Sequence, residues 1–269
     1  MSPVLFTLGS IDVLSFTALM ALALGAGLWL TWWQARRLSL LPSDVLDVAL
    51  VGVLTGVIAA RAMYVASNWG YYQMHRDQIA VLWQGGLSWH GGLAGGAIGV
   101  ALASRWRKLP TRQVFDALTP GLMAGAALGW LGCYLDGVAY GREVFPGDRW
   151  WFLAADLPDI YSQWNPRFAT QLLGAVWAAL CLFTAIGALR DGGSKTKDGV
   201  RYSSLILCPL SFAVTMALYS AGMFVLGFTR GDVVPTLGGW RLDQVLDAAI
   251  VIAAVTYVLL KRHDNIHHV

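Results

Sequence analysis

The sequence predicts an all-α integral membrane protein of seven transmembrane helices, and three observations carry that prediction. The 269 residues are 57% apolar and only 13% charged, whereas a water-soluble chain carries about a quarter charged residues. Seven segments are both long and apolar, at 13–33, 45–66, 87–105, 114–136, 168–189, 203–228 and 242–260, and about 20 such residues cross a bilayer. Basic residues are dense in every second loop and sparse in the others, which fixes a direction of insertion.

Taken in order, the first span has no basic residue before it and is too long for a signal-peptide core, so it is expected to stay in the protein. The second span carries Arg61 in its last third, with Tyr64 three positions on and on the same helix face. The third begins raggedly, in Gly85-Gly86-Leu87-Ser88-Trp89-His90-Gly91-Gly92, and continues with Gly95, Gly96 and Gly99 at small-xxx-small spacing. The fourth holds Asp116 near its start and Asp136 at its end. The longest polar insertion follows, residues 137–167. It is expected to form a loop or a small cap, with Trp150, Trp151, Tyr161 and Trp164 as its aromatic surface. The fifth span has Gln171 about one turn in, the sixth has no charge from Ser211 to Phe228, and the seventh opens with Asp243 and Gln244. No soluble unit interrupts this series, so residues 1–269 read as one transmembrane domain.

The loops after spans 1, 3 and 5 and the C-terminal tail hold twelve Lys and Arg, including Arg36, Arg37, Arg105, Arg107, Lys108 and Arg112. The opposite side holds six: Arg76, Arg142, Arg149, Arg167, Arg230 and Arg241. The bias places the N-terminus outside and the C-terminus in the cytoplasm. It also accounts for the net charge of +3, so nucleic-acid binding is not expected. Cys133, Cys181 and Cys208 all fall in predicted spans and form no CxxC pattern, which argues for small buried side chains and against a disulfide framework or a metal site. No cofactor is expected.

With this direction of insertion, Arg61, His90, Asp136, Gln171, Asp243 and Gln244 converge on the outer face. Each also has a structural reading. Arg61 is suited to snorkelling or to pairing with Asp136, and its planar fork is equally suited to a lipid phosphate. A lone interfacial histidine is by default a hydrogen-bond donor. The glycine pair ahead of His90 adds weight to a functional reading, because glycine lets the backbone turn and expose amides to a ligand.

These residues resemble the histidine-glycine motif of the bacterial prolipoprotein diacylglyceryl transferases, carried here by Leu82 to Gly92. The resemblance extends to Arg61 and Tyr64, to the segment Gly129-Trp130-Leu131-Gly132-Cys133-Tyr134-Leu135-Asp136-Gly137-Val138-Ala139-Tyr140-Gly141-Arg142, to Thr170-Gln171-Leu172 and to Gln244. It covers nearly the whole chain. It implies a multi-pass enzyme of the bacterial plasma membrane that moves a diacylglyceryl group from phosphatidylglycerol to the lipobox cysteine of a prolipoprotein. His90 is then the implied catalytic base. Arg61, Tyr64, Gly91, Gly92, Asp136, Arg142, Gln171 and Gln244 are the implied substrate-binding residues.

The family pattern also differs from this chain at several positions. The family carries an arginine where Trp130 stands, thought to bind the headgroup, an asparagine at Cys133 and a glutamate at Val138. It has Tyr-Glu at Leu173-Gly174, and an arginine and a glutamate in span 6. Three readings follow. One is a diverged diacylglyceryl transferase. The second is a catalytically impaired relative that binds lipid or serves as a subunit of a membrane complex. The third is a small transporter, which would need polar groups near mid-bilayer and internal repeats that this sequence does not display.

Overall fold

The apolar segments become long helices packed side by side in a computed structural model, which describes residues 4–8, 11–82, 85–159, 161, 163–187, 194–195, 201–202 and 211–266. The helices are α1 (Ser15–Arg37), α2 (Pro42–Ser67), the single turn α3 (Trp69–Tyr72), α4 (Trp89–Trp106), α5 (Thr111–Asp136), α6 (Thr170–Gly187), α7 (Ser211–Leu226) and α8 (Leu242–Ile266). Six of them, all but α3 and α4, are long and apolar enough to cross a membrane. The chain is thus predominantly helical with multiple membrane-spanning candidates. The segment 203–210, with Cys208, lies outside the described residues.

The glycine-rich α4, as long as α6 at 18 residues, falls short of the six in apolarity, yet it runs alongside α2 through small residues. A Cβ on Gly95 would strike Ala59, and one on Gly99 would strike Thr55. The bare Cα surface therefore sets the approach of the two helices. In the same way α1 meets α5 where Gly27 and Gly121 face each other. Further packing joins α5 to α6, α6 to α7 and α7 to α8. One buried cluster, with Ala35, Val45, Val48, Val100 and Val114, ties α1, α2, α4 and α5. A second, with Met123, Ala178, Cys181, Met216 and Tyr219, ties α5, α6 and α7.

Local signals start and stop these helices. Pro42 opens α2, where a missing N–H costs nothing. The Ser88 hydroxyl accepts the Gly91 amide at the head of α4. Gly137, at φ +75°, closes α5 in the left-handed conformation. The α7 N-terminus is capped from another helix, because the Phe212 amide donates to Asp116 at 3.0 Å. The Asp116 carboxylate is buried and suits the positive end of that helix dipole.

The all-α expectation is amended by small hairpins. Strands β1 (Val4–Leu8) and β2 (Ile11–Leu14) precede α1, and β3 (Ala154–Pro158) pairs antiparallel with β4 (Trp164–Phe168) within the segment 137–167. That segment is stitched to the end of α7. The Arg142 amide donates to Thr229 O at 2.8 Å, and Gly231 N donates to Tyr140 O at 2.9 Å. Phe145, Trp150, Phe152, Tyr161 and Trp164 on it are exposed.

Candidate functional site

A cleft of about 800 Å³ lies between α4, α5, α7 and α8. His90, Met63 and Leu246 line one end, Ala97 and Ala249 the middle, and Arg105, Arg112 and Tyr257 the other end. From His90 to Arg105 along α4 is about 22 Å at the helical rise, enough for an extended long acyl chain. The cleft exists because α4 and α8 do not pack along their lengths. They are bridged at one end, where His90 Nε2 meets Asp247 Oδ1 at 3.1 Å. The two side chains are 12% and 5% exposed. An ionisable pair buried that deeply in apolar helices is costly to maintain and marks a functional candidate.

A second ionic group lies beside this pair. One turn earlier on α8, Asp243 meets Arg230 at 3.1 Å and Arg241 at 3.2 Å, and Asp232 meets both arginines as well. Two guanidinium groups and two carboxylates close a ring at the same end of the bundle. Burial works to raise the Asp232 carboxyl, but the hydrogen bonds and charges of Arg230 and Arg241 overcome it and hold it below the ordinary carboxylate range. Burial likewise opposes the charge on Arg230, and Asp232 and Asp243 raise it above the usual guanidinium value.

Beside this ring lies an aromatic group. Trp130 donates its indole N–H to Tyr219 Oη at 3.1 Å, the Tyr219 ring sits 5.7 Å from that of Trp89, and the Arg230 guanidinium lies 5.9 Å from the Trp130 ring centre. The indole packs on Gly174, where a Cβ would fall 2.6 Å from Cδ2. The volume at this position is therefore filled by the ring.

Arg61 is placed differently from the sequence expectation of one site shared with His90. It is 7% exposed and lines a separate groove with Ile58, Val65, Trp69 and Ile79. Its guanidinium donates to four carbonyl oxygens: Ile79 at 2.9 Å, Gln78 at 2.7 Å, Gly85 at 2.8 Å and Gly86 at 3.0 Å. Among the described residues it forms no ion pair with Asp136 or any other acid. The glycine pair explains this. Gly85 and Gly86 sit at φ +81° and +78°, a conformation open to glycine, and it turns their carbonyls, rather than their amides, inward to the arginine. Tyr64 and Tyr72 flank the guanidinium at 6.0 and 5.3 Å.

The other expected residues divide between the bundle and its cap. Gly91 lies against Ala59, Ala60 and Met63 of α2, and Gly92 also faces α2. Their amides donate to the Ser88 hydroxyl and carbonyl. Gln171 is fully buried and donates to Val138 O at 3.0 Å, while among the described residues its Oε1 has no partner. Gln244 donates to Phe224 O at 3.1 Å and packs on Gly227. Arg142 is exposed, 5.3 Å over the Phe168 ring. Asp136 is exposed at the end of α5. The sequence reading missed Asp247, Asp232 and Arg241. The first was legible, since an acid one turn into an apolar span is rarely without purpose. Among the described residues no group of acids, histidines and cysteines has the arrangement of a metal site.

The family model described as prolipoprotein diacylglyceryl transferase matches residues 3–260. A phosphatidylglycerol–prolipoprotein diacylglyceryl transferase of Thermosynechococcus vestitus is 31% identical over 254 residues, covering 85% of this chain and 93% of the relative. A protein of the same description from Acaryochloris marina is 31% identical over 248 residues, 84% of this chain and 89% of the relative. Another, from Lactobacillus acidophilus, is 28% identical over 266 residues, with 97% and 90% covered.

Proposed function

The chain belongs to the prolipoprotein diacylglyceryl transferase family, and on that premise we propose that it moves a diacylglyceryl group from phosphatidylglycerol to the cysteine thiol of a prolipoprotein. The observation that carries the reading is the apolar cleft with His90 at its head. Acyl chains lie in the cleft among α4, α5, α7 and α8, and the glyceryl carbon sits beside the imidazole. The thiol proton passes to His90, the thiolate attacks the glyceryl carbon, and the carbon–oxygen bond to phosphate breaks. Glycerol phosphate leaves with the bonding pair, and the thioether remains on the cysteine. A free thiol near ~8.5 is little ionised at neutral pH, so a base at this place contributes directly to rate.

The charge bias of the loops supports a direction in which the His90 end faces the outside of the bacterial inner membrane and the Arg105 end faces the cytoplasm. The segment 137–167 then forms an outer cap. The exposed Asp136 and Arg142 are proposed to border the approach of the prolipoprotein, and the buried Gln171 and Gln244 to hold the start of the cap and the end of α7 in place. Arg61, Tyr64, Gly91 and Gly92 are proposed to act by fixing the backbone on either side of His90.

A second reading has a specific observation in its favour. The Trp130 ring fills its site, and Arg230 and Arg61 are already engaged by acids and carbonyls. That arrangement suits a relative that holds lipid, alone or within a membrane complex, without transferring it. Purified chain in phosphatidylglycerol vesicles, given a lipobox peptide, separates the two. A peptide mass increased by one diacylglyceryl group, and lost in His90→Ala, supports transfer. Lipid retained without that product supports the second reading.

A further inference from the structure

We infer that Asp247 is a positioning residue that fixes the tautomer of His90, so that the imidazole works through Nδ1. The inference rests on the transfer reading above. The contact is made at Nε2, 3.1 Å from Asp247 Oδ1. An ionised carboxylate only accepts hydrogen bonds, so the Nε2 proton points to Asp247 and the lone pair stays on Nδ1. Among the described residues Nδ1 has no hydrogen-bond partner, and the His90 side chain lines the lipid-sized cleft. The nitrogen left available for a thiol proton is therefore Nδ1.

The surrounding charges single out Asp247 for this role. Its neighbour on α8, Asp243, is paired with Arg230 and Arg241. Among the described residues Asp247 meets no arginine, and His90 is its ion-pair partner. On α7 the neighbouring titratable side chain is Tyr219, a hydroxyl bound to Trp130. On α2 the residue lining the cleft beside His90 is Met63, without charge. Arg112 and Asp116 lie toward the opposite end. When Nδ1 takes the thiol proton, the resulting imidazolium is balanced by the Asp247 carboxylate across the α4–α8 bridge. A carboxylate that orients an imidazole in this manner raises its usefulness as a base without meeting the substrate.

Full-length chain labelled with ¹⁵N-histidine in lipid nanodiscs tests the assignment, the His90 signals being identified by their loss in His90→Gln. The expected neutral imidazole carries its proton on Nε2. In Asp247→Asn the amide either accepts or donates, so both tautomers are expected. Thioether formation should fall by about 10² to 10⁴ in kcat, with lipid KM changed by less than about twofold, and Asp247→Glu should recover part of the loss. A wild-type proton on Nδ1, or an Asp247→Asn protein with unchanged tautomer and kcat, overturns the inference. If Asp247→Asn fails to fold, the wild-type tautomer alone decides it. A fixed Nε2–H form in a chain that makes no thioether sinks the transfer reading while supporting the pairing.

Discussion

The Trp130 indole rests on the bare Cα of Gly174, so closely that a Cβ there would lie 2.6 Å from the ring. One residue on α5 and one on α6 thus form a complementary pair, large against none. The ring is further fixed by its hydrogen bond to Tyr219, and the three together close the bundle beside the Arg230–Asp232–Asp243–Arg241 ring.

Gly174→Ala is therefore expected to destabilise the protein by about 1–3 kcal/mol through overpacking. Adding Trp130→Leu should relieve most of that cost, since the contact partner is removed. Thermal unfolding in detergent of the two single variants and the double variant reads the coupling. Additive losses would mean that the ring does not depend on the glycine.

Arg61 behaves as a clamp on the backbone at Gln78, Ile79, Gly85 and Gly86. Arg61→Lys keeps the charge but loses the planar fork that reaches four carbonyls at once. We expect a cost of about 2–4 kcal/mol, from stranded carbonyls and weaker charge-assisted bonds. Amide exchange of residues 78–82 should quicken well before that of α5. Uniform exchange across the chain would contradict a local clamp.

The ionic ring ties stability to acid pH through Asp232. Its carboxyl is held low in the folded protein, so its contribution is whole at neutral pH. That contribution begins to fall as pH drops through the ordinary carboxylate value near ~3.9 and is gone below the depressed native value. Asp232→Asn should flatten this acid limb. At pH 7 it should cost about 3 kcal/mol, the lower end for breaking a buried pair, because these side chains keep 17–19% exposure. Unfolding midpoints measured from pH 7 down to pH 3 check both statements.

The cleft makes a steric prediction. Ala97 lines it two turns beyond His90, so Ala97→Trp should exclude an acyl chain and weaken phosphatidylglycerol binding at least about tenfold, equivalent to ~1.4 kcal/mol. Leu102, 60% exposed on the same helix, serves as control, and Leu102→Trp should bind lipid as the unaltered chain does. Equal binding by the Ala97 variant would place the lipid elsewhere.

Long helices were legible because length and apolarity decide them almost alone: 114–136 and 242–260 fall within α5 and α8 to a few residues. The hairpin Ala154–Phe168 was not, since Pro158 and Pro166 break its alternation and the strands pair across a loop. His90 stood out through its glycines. Arg61 stood out too, but sequence held no sign that Gly85 and Gly86 would turn their carbonyls toward it. Asp247 was legible as an acid inside an apolar span, but its pairing with His90 was not, because the two lie 157 residues apart and no local pattern reports such a contact.

The most direct measurement follows the phosphate. In phosphatidylglycerol vesicles with a lipobox peptide, ³¹P spectroscopy should detect glycerol phosphate released in equal amount to the thiol consumed, with His90→Ala silent and Ala97→Trp slowed. Glycerol phosphate released without loss of thiol, or at the same rate from His90→Ala, would contradict thiol-directed transfer at the head of this cleft.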